Sequence, residues 1–177
     1  TEDSPTVLMV GEENTKKGNP VYTFSHYSPM QKFAEDSCVS GQLVHWEVIY
    51  KDILEKIHNG TYTNKNLSNV EYRWRLKDGA VELGGKFGVP INPKFVPILK
   101  EKWINHPVFG RINVYDLATR RLSQMKHKPS LFSPFTGPIY DQNNNLKIAT
   151  GRKATHDELW TMNWFVNNVI GKIPQGQ

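Results

Sequence analysis

The chain has 177 residues, 38% of them hydrophobic, which is enough to bury the core of an α/β or α+β domain. Its formal charge of +5 comes from 22 basic and 17 acidic residues, and the basic residues are interleaved with acids, which is typical of a solvated surface and argues against a nucleic-acid partner. A single cysteine, Cys38, excludes an internal disulfide and a cysteine-based metal cluster. No apolar stretch reaches the ~20 residues of a membrane-spanning helix, and the acidic N-terminus predicts that any export signal has been removed.

A helix and a strand are predicted at the start of the chain. The helix is expected to begin near Pro5, which suits a first helical position, and to run to about Lys16. The β-branched and aromatic segment 20–24 predicts a short strand, and the polar, proline-stopped segment 25–29 predicts a loop after it.

The most regular pattern of the first half follows a very short strand predicted at 38–39. Apolar residues recur at helical spacing and predict a long helix over roughly Gln42 to His58, with Ser40 as its N-cap and Gly60 after its end. The sequence therefore places Trp46 and Tyr50 in the first turns of this helix.

The middle of the chain predicts a strand pair and two helices. The alternating segment 72–76 and the segment 81–83 are expected to form a hairpin or a strand pair. A helix is expected from Asn92 to Trp103, although Pro97 leaves its first turn open, and a second amphipathic helix is expected over 114–125.

The C-terminal part predicts a β-ribbon followed by a helix. The ribbon spans 132–148, and Thr155 with Glu158 forms a capping-box pattern ahead of a helix expected over His156 to Ile170. No repeat or dividing linker is evident, and the alternation of strands and helices favours an α/β fold with a mixed sheet.

Motifs for catalysis and for bound cofactors are absent from the sequence. It has no Gly-x-Ser-x-Gly elbow, and no acidic residue that the sequence identifies would orient His26. The six histidines lack metal-binding spacing, and the glycine-rich segment 84–88 matches neither a phosphate-binding loop nor a dinucleotide fingerprint. We therefore expect no metal and no cofactor.

Aromatic residues are the more informative feature. In an α/β sheet, loops after strands and the starts of the following helices converge on the ligand crevice, so Trp46 could stack on a planar heterocycle. Composition alone favours the other interpretation, in which Trp46 is a core residue. Three further tryptophans are assigned to packing: Trp103, Trp160 and Trp164.

Short motifs along the chain carry a family resemblance. In the C-terminal part they are the ribbon Phe-Thr-Gly-Pro-Ile-Tyr-Asp-Gln at 135–142, Ala-Thr-Gly at 149–151, and the segments 157–166 and 169–174. Further matching segments lie upstream, in the same order, at 33–34, 39–41, 44–46, 60–62 and 76–83. Together they resemble the basic membrane protein family, the substrate-binding lipoproteins of ABC transporters whose known members carry purines and nucleosides.

The resemblance covers essentially the whole chain and has implications for its fold. It implies the C-terminal portion of a two-lobed, Rossmann-like, type I periplasmic-binding-protein fold that closes on a ligand between its lobes. Residues 1–177 would then lack the first lobe and part of the second. Such a protein is a binding protein and not an enzyme.

The resemblance also implies a set of ligand-binding residues. Nucleoside-binding members are expected to have an acid in the loop that here reads Ser25-His26-Tyr27-Ser28 and a base where His45-Trp46 stands. Because both are replaced, the resemblance implies stacking of a free purine base on Trp46. The expected ligand-binding residues are Trp46, Ser25, His26, Asp3, Ser28 and Tyr50.

Partners and location follow from the same resemblance. We expect a purine-like small molecule, the membrane permease of an ABC transporter, and either the missing N-terminal portion or a second copy of the chain. The location would be extracytoplasmic, in the periplasm or as a cell-surface lipoprotein. The alternative is a stand-alone interaction or regulatory module that reuses half of the fold without binding a solute.

Overall fold

A computed structural model describes residues 4–172, which form two compact units divided after His127. The first unit contains α1 (Thr6–Lys16), β1 (Thr23–Tyr27), β2 (Cys38–Val44), α2 (Trp46–His58), β3 (Val81–Leu83), α3 (Val96–Glu101), β4 (Trp103–His106), β5 (Gly110–Asn113) and α4 (Val114–His127). The second contains β6 (Ile139–Tyr140), β7 (Leu146–Ile148) and α5 (His156–Trp160). None of the helices within 4–172 has the length and hydropathy required to cross a bilayer.

A mixed three-stranded sheet organises the first unit. Strand β2 lies in the middle, with β1 parallel to it on one side and β3 antiparallel on the other. A small cluster of buried side chains packs beneath it, formed by Leu8, Met30, Ala34 and Cys38. The expected mixed sheet is therefore confirmed. The helices predicted from about Pro5 to Lys16 and over 114–125 are also confirmed, as α1 and α4.

Strand β2 overturns the predicted start of the long helix. Residues 42–44 pair with β3, residues 42 and 43 pair with β1 as well, and the helix begins only at Trp46. Ser40 is a strand residue and not an N-cap, because it pairs with Phe24 within the sheet; its hydroxyl donates to the Pro90 carbonyl at 2.6 Å. Gly41 allows the close strand approach: a Cβ there would lie 1.9 Å from the Ser25 Oγ. Pairing on two edges outweighs the helical spacing of the apolar residues.

Strand β1 lies three residues later than predicted. The sequence placed a strand at 20–24 and a loop at 25–29, but Ser25 and His26 belong to the strand. Their backbone groups are paired with β2, in the register Ser25↔Gly41 and His26↔Gln42. Thr23 and Ser25 are buried and Phe24 is exposed, but the buried positions carry polar residues, so the sequence showed no apolar alternation to mark the strand.

Two further predictions of the middle region are wrong. The segment 72–75 forms no strand with 81–83; it lies against α2, where the Tyr72 hydroxyl donates to Asp52 at 2.5 Å. The helix after Asn92 starts as a 3₁₀ turn and ends at Glu101, so Trp103 belongs to β4 instead.

The second unit contains the predicted ribbon and a shorter helix than expected. Strands β6 and β7 pair antiparallel, which confirms the ribbon, and the capping box of Thr155 and Glu158 is present. The helix ends at Trp160 and does not continue to Ile170. Backbone groups after this helix bond to the β6–β7 ribbon instead. The Gln142 N–H donates to the Phe165 carbonyl, and the Asn167 N–H donates to the Tyr140 carbonyl. These contacts replace the helical hydrogen bonds.

Candidate ligand-binding surface

The carboxyl ends of β1 and β2 meet at one edge of the sheet. The strands are parallel, and their last paired residues are Tyr27 and Leu43. The chain leaves β2 through His45 and enters α2 at Trp46, so the end of β1 lies beside the start of α2. This is the arrangement in which α/β proteins form ligand sites.

Four rings converge at this edge. The ring centroids of Tyr27 and Trp46 lie 6.3 Å apart at 73°, an edge-to-face contact, and those of Trp46 and Tyr50 lie 6.2 Å apart at 23°. The His26 ring stacks on Tyr27 at 3.8 Å. Trp46 and Tyr50 are 48% and 58% exposed, so neither is a core residue. We call these four residues, His26, Tyr27, Trp46 and Tyr50, the aromatic surface.

A tight turn sets the direction of Tyr27. The Ser28 N–H donates to the His26 carbonyl at 2.8 Å, which closes a three-residue turn centred on Tyr27. Tyr27 has a φ of 62°, in the left-handed region that a residue with a bulky side chain seldom occupies. Conformations of this kind cost of order 1–3 kcal/mol and are concentrated at functional sites.

A histidine between two carboxylates fixes the start of α2. The Nδ1 of His45 lies 2.7 Å from Glu47 and its Nε2 lies 2.7 Å from Glu82 on β3. These hydrogen bonds, chiefly the one to Glu82, raise the pKa of His45, while His45 lowers the pKa of Glu47. The backbone immediately before Trp46 is thereby tied to the sheet.

The structure brings together part of the predicted site. Trp46, Tyr50 and His26 belong to the aromatic surface, and Ser28 is exposed directly after Tyr27. Ser25 is buried in the sheet, where its hydroxyl donates to the Gly84 carbonyl at 3.4 Å, so it does not line this surface. Asp3 lies outside the described residues.

Sequence reasoning missed Tyr27 and misassigned two tryptophans. Tyr27 sits in the predicted loop between His26 and Ser28, and its aromatic side chain was the available signal. Trp103 and Trp160 were expected to pack in the core, but both are exposed, because Trp103 ends up on a two-stranded ribbon and α5 is only five residues long. Trp164 is half-buried.

The aromatic surface suits stacking and not metal binding. Among residues 4–172 no group of three or more His, Cys, Asp or Glu side chains is placed to hold a metal ion. Flat rings with exposed faces offer a platform for a planar heterocycle, and the His26 imidazole and the Ser28 hydroxyl supply hydrogen-bonding groups beside it.

Comparison with known proteins gives one informative similarity. The chain is 26% identical over 173 residues to a purine-binding protein of Brucella abortus (strain 2308). The aligned region takes in 98% of this chain but only 40% of that protein, so the chain spans about two fifths of the curated relative's length. No family model matches the chain. Over nearly its whole length, the chain is therefore similar to part of a purine-binding protein.

Proposed function

We propose that this chain is part of a solute receptor that binds a purine-like heterocycle against the aromatic surface. The observation that carries the proposal is the exposed stack of Trp46 and Tyr50 beside Tyr27, at the carboxyl ends of two parallel strands. The purine-binding name of a relative similar over nearly the whole chain supports the ligand class.

The openness of the aromatic surface supports a receptor with two lobes. Small-molecule sites bury about 70–90% of the ligand surface. A base stacked on Trp46 would be covered on one face only, so a second protein surface must close over the other. The portion of the relative that this chain does not match is long enough to supply one. Closure of this kind is the mode of action proposed here.

The wider role proposed is delivery of the solute to the permease of an ABC transporter, outside the cytoplasm and as a membrane-anchored lipoprotein. This part of the proposal rests on the family resemblance of the motifs described in the sequence. In this role the protein would carry no catalytic activity.

Calorimetric titration of the full-length protein with adenine, guanine, their nucleosides and ribose tests the ligand class. Stacking on an aromatic side chain is worth about 1–3 kcal/mol per base in single-strand nucleic-acid binders, so Trp46→Ala should weaken purine binding by roughly tenfold to a hundredfold. Trp46→Phe should retain much of the affinity.

Trp103→Ala is the matched control, because Trp103 is 52% exposed in the same unit but lies on β4. It should leave the affinity unchanged. Unchanged purine affinity in Trp46→Ala would refute the stacking role. Binding of ribose alone would overturn the purine class and leave the receptor role in place.

A further inference from the structure

Most of the net positive charge of the chain lies in one segment. Residues 100–127 contain six basic and two acidic side chains, which account for four of the five net charges. The sequence suggested scattered charges, but α3, the β4–β5 ribbon and α4 pack on one another in the structure. The basic side chains are therefore gathered on one part of the first unit.

The β4–β5 ribbon is exposed along most of its length. Ile104 pairs with Ile112, and Ile112 is buried while Ile104 is 40% exposed. Trp103 and Arg111 alternate onto the opposite face, and the Arg111 guanidinium lies 5.0 Å from the Trp103 ring centroid. The outer face thus presents an indole and a guanidinium together.

The turn of the ribbon adds an apolar tip between two guanidinium groups. Val108 is 69% exposed, the most exposed of the large apolar side chains in this ribbon. The neighbouring Phe109 ring lies 5.6 Å from the guanidinium of Arg120 and 4.8 Å from that of Arg121. We call Lys102, Trp103, Val108, Arg111 and Arg120 the ribbon surface.

The positive charge of the ribbon surface is not neutralised locally. In the described part of the chain, no carboxylate forms an ion pair with Lys102, Arg111 or Arg120. Asp116, one of the two acids of the segment, instead accepts a hydrogen bond from Asn113. The positive charge of the ribbon surface is therefore available to attract an anionic partner.

We propose that the ribbon surface binds anionic phospholipid membranes. Basic side chains near an anionic bilayer each add about fivefold in affinity. Exposed Trp and aliphatic side chains gain from insertion at the headgroup boundary, where an indole is amphipathic. The ribbon surface combines both requirements on the β4–β5 ribbon and the neighbouring residues Lys102 and Arg120.

Two observations favour a lipid surface over a nucleic acid. Arg111 covers one face of the Trp103 ring, which reduces the area free for stacking on a base. Val108 at the tip is an aliphatic side chain, which gains by entering an apolar phase and has no partner on a phosphate backbone.

Vesicle flotation tests the proposal. The probes are vesicles of phosphatidylcholine alone and vesicles in which about a third of the lipid is phosphatidylglycerol. The protein should float with the anionic vesicles only, and Arg111→Glu/Arg120→Glu should weaken the binding at least about tenfold. Brominated acyl chains should quench tryptophan fluorescence, and Trp103→Phe should lose most of this quenching.

The control variant is Lys65→Glu/Lys86→Glu, which makes the same change in net charge at two exposed lysines outside the segment 100–127. It should bind anionic vesicles nearly as well as the unmodified protein. The proposal fails if anionic vesicles do not bind, or if both double variants lose the same affinity. It also fails if a single-stranded oligonucleotide displaces the vesicles by binding more tightly to the same arginines.

Discussion

His45 joins the start of α2 to β3 through Glu82, whose Oε2 lies 2.7 Å from the His45 Nε2. The second oxygen of Glu82 accepts the Gly88 N–H at 2.5 Å, so one carboxylate holds both a helix start and a turn. The other nitrogen of His45 bonds Glu47, and the Phe87 ring packs against the imidazole. The protonated imidazole can donate to both carboxylates at once.

Stability should therefore fall as the pH rises above the ordinary pKa of histidine. The folded pKa of His45 is raised above 6.5, so its stabilisation is fully present below that value and is lost as the pH passes the raised pKa. His45→Gln should remove this part of the pH dependence in urea unfolding. His58→Gln, at the exposed end of α2, should retain it. Identical pH profiles for His45→Gln and the unmodified protein would contradict the role of His45.

Gly41→Ala should be among the most disruptive small substitutions in the first unit. The added Cβ would meet the Ser25 Oγ at 1.9 Å and the Gly84 carbonyl oxygen at 2.7 Å. Forcing the strands apart should cost about 3 kcal/mol of unfolding free energy, measured by urea denaturation. Gly60→Ala is the control, since its new Cβ meets nothing within 4 Å. Its φ of 71° limits the loss to about 1 kcal/mol, and equal losses would refute the packing argument.

Glu158 should titrate at an unusually low pH. Arg152 holds both of its oxygens, at 2.7 and 2.8 Å, and the Thr155 N–H donates to the carboxylate as well, which lowers the pKa of Glu158 to about 2. The stabilisation is complete above the ordinary value of 4.5 and is lost as the pH falls toward 2.

Carbon-detected NMR can follow this carboxylate directly. Arg152→Gln should move the midpoint up toward the ordinary value, because the fork of two charge-assisted hydrogen bonds is lost. Lys153→Gln, one residue along, should leave the midpoint in place. A midpoint near 4.5 in the unmodified protein would show that the fork does not form in solution.

The exposed apolar stripe of α2 predicts association. Trp46, Tyr50, Leu54 and Ile57 are all exposed and follow one another at helical spacing. A stripe of this kind is normally covered, so the chain should self-associate at high concentration or bind a complementary segment. Leu54→Gln should weaken association measured by light scattering, and Lys51→Gln should not. A monomer at all concentrations with no second polypeptide would contradict this prediction.

The sequence predicted elements whose signals are local and missed those decided by distant contacts. The helices α1 and α4 and the β6–β7 ribbon have periodic or turn signals within a few residues, and all three predictions were confirmed. The helical spacing of the apolar residues predicted that the long helix starts near Gln42. This start is wrong because residues 42–44 belong to β2, which pairs with β1 and β3. The C-terminal helix was overestimated because its apolar stripe continues while residues 165–167 bond the ribbon.

The candidate site was predicted in outline only. Trp46 and Tyr50 could be paired from their spacing of four, since such residues share a face of a helix. Their proximity to Tyr27 depends on the parallel register of β1 and β2, which no local pattern reveals. Ser25 was included because a polar side chain suggests a loop, but it faces the neighbouring strand in the sheet interior.

The central position of β2 has a consequence for the rate of folding. Its two partners are distant in the chain: Phe24 pairs with Ser40, and Val44 pairs with Val81. The chain must lose loop-closure entropy before the contacts of either strand pair can form and offset that loss. Helix α4, in contrast, can form from contacts between residues three and four apart. Refolding of the first unit should therefore show early helix formation and a slower step in which the sheet closes, and the aromatic surface should assemble only in that slower step.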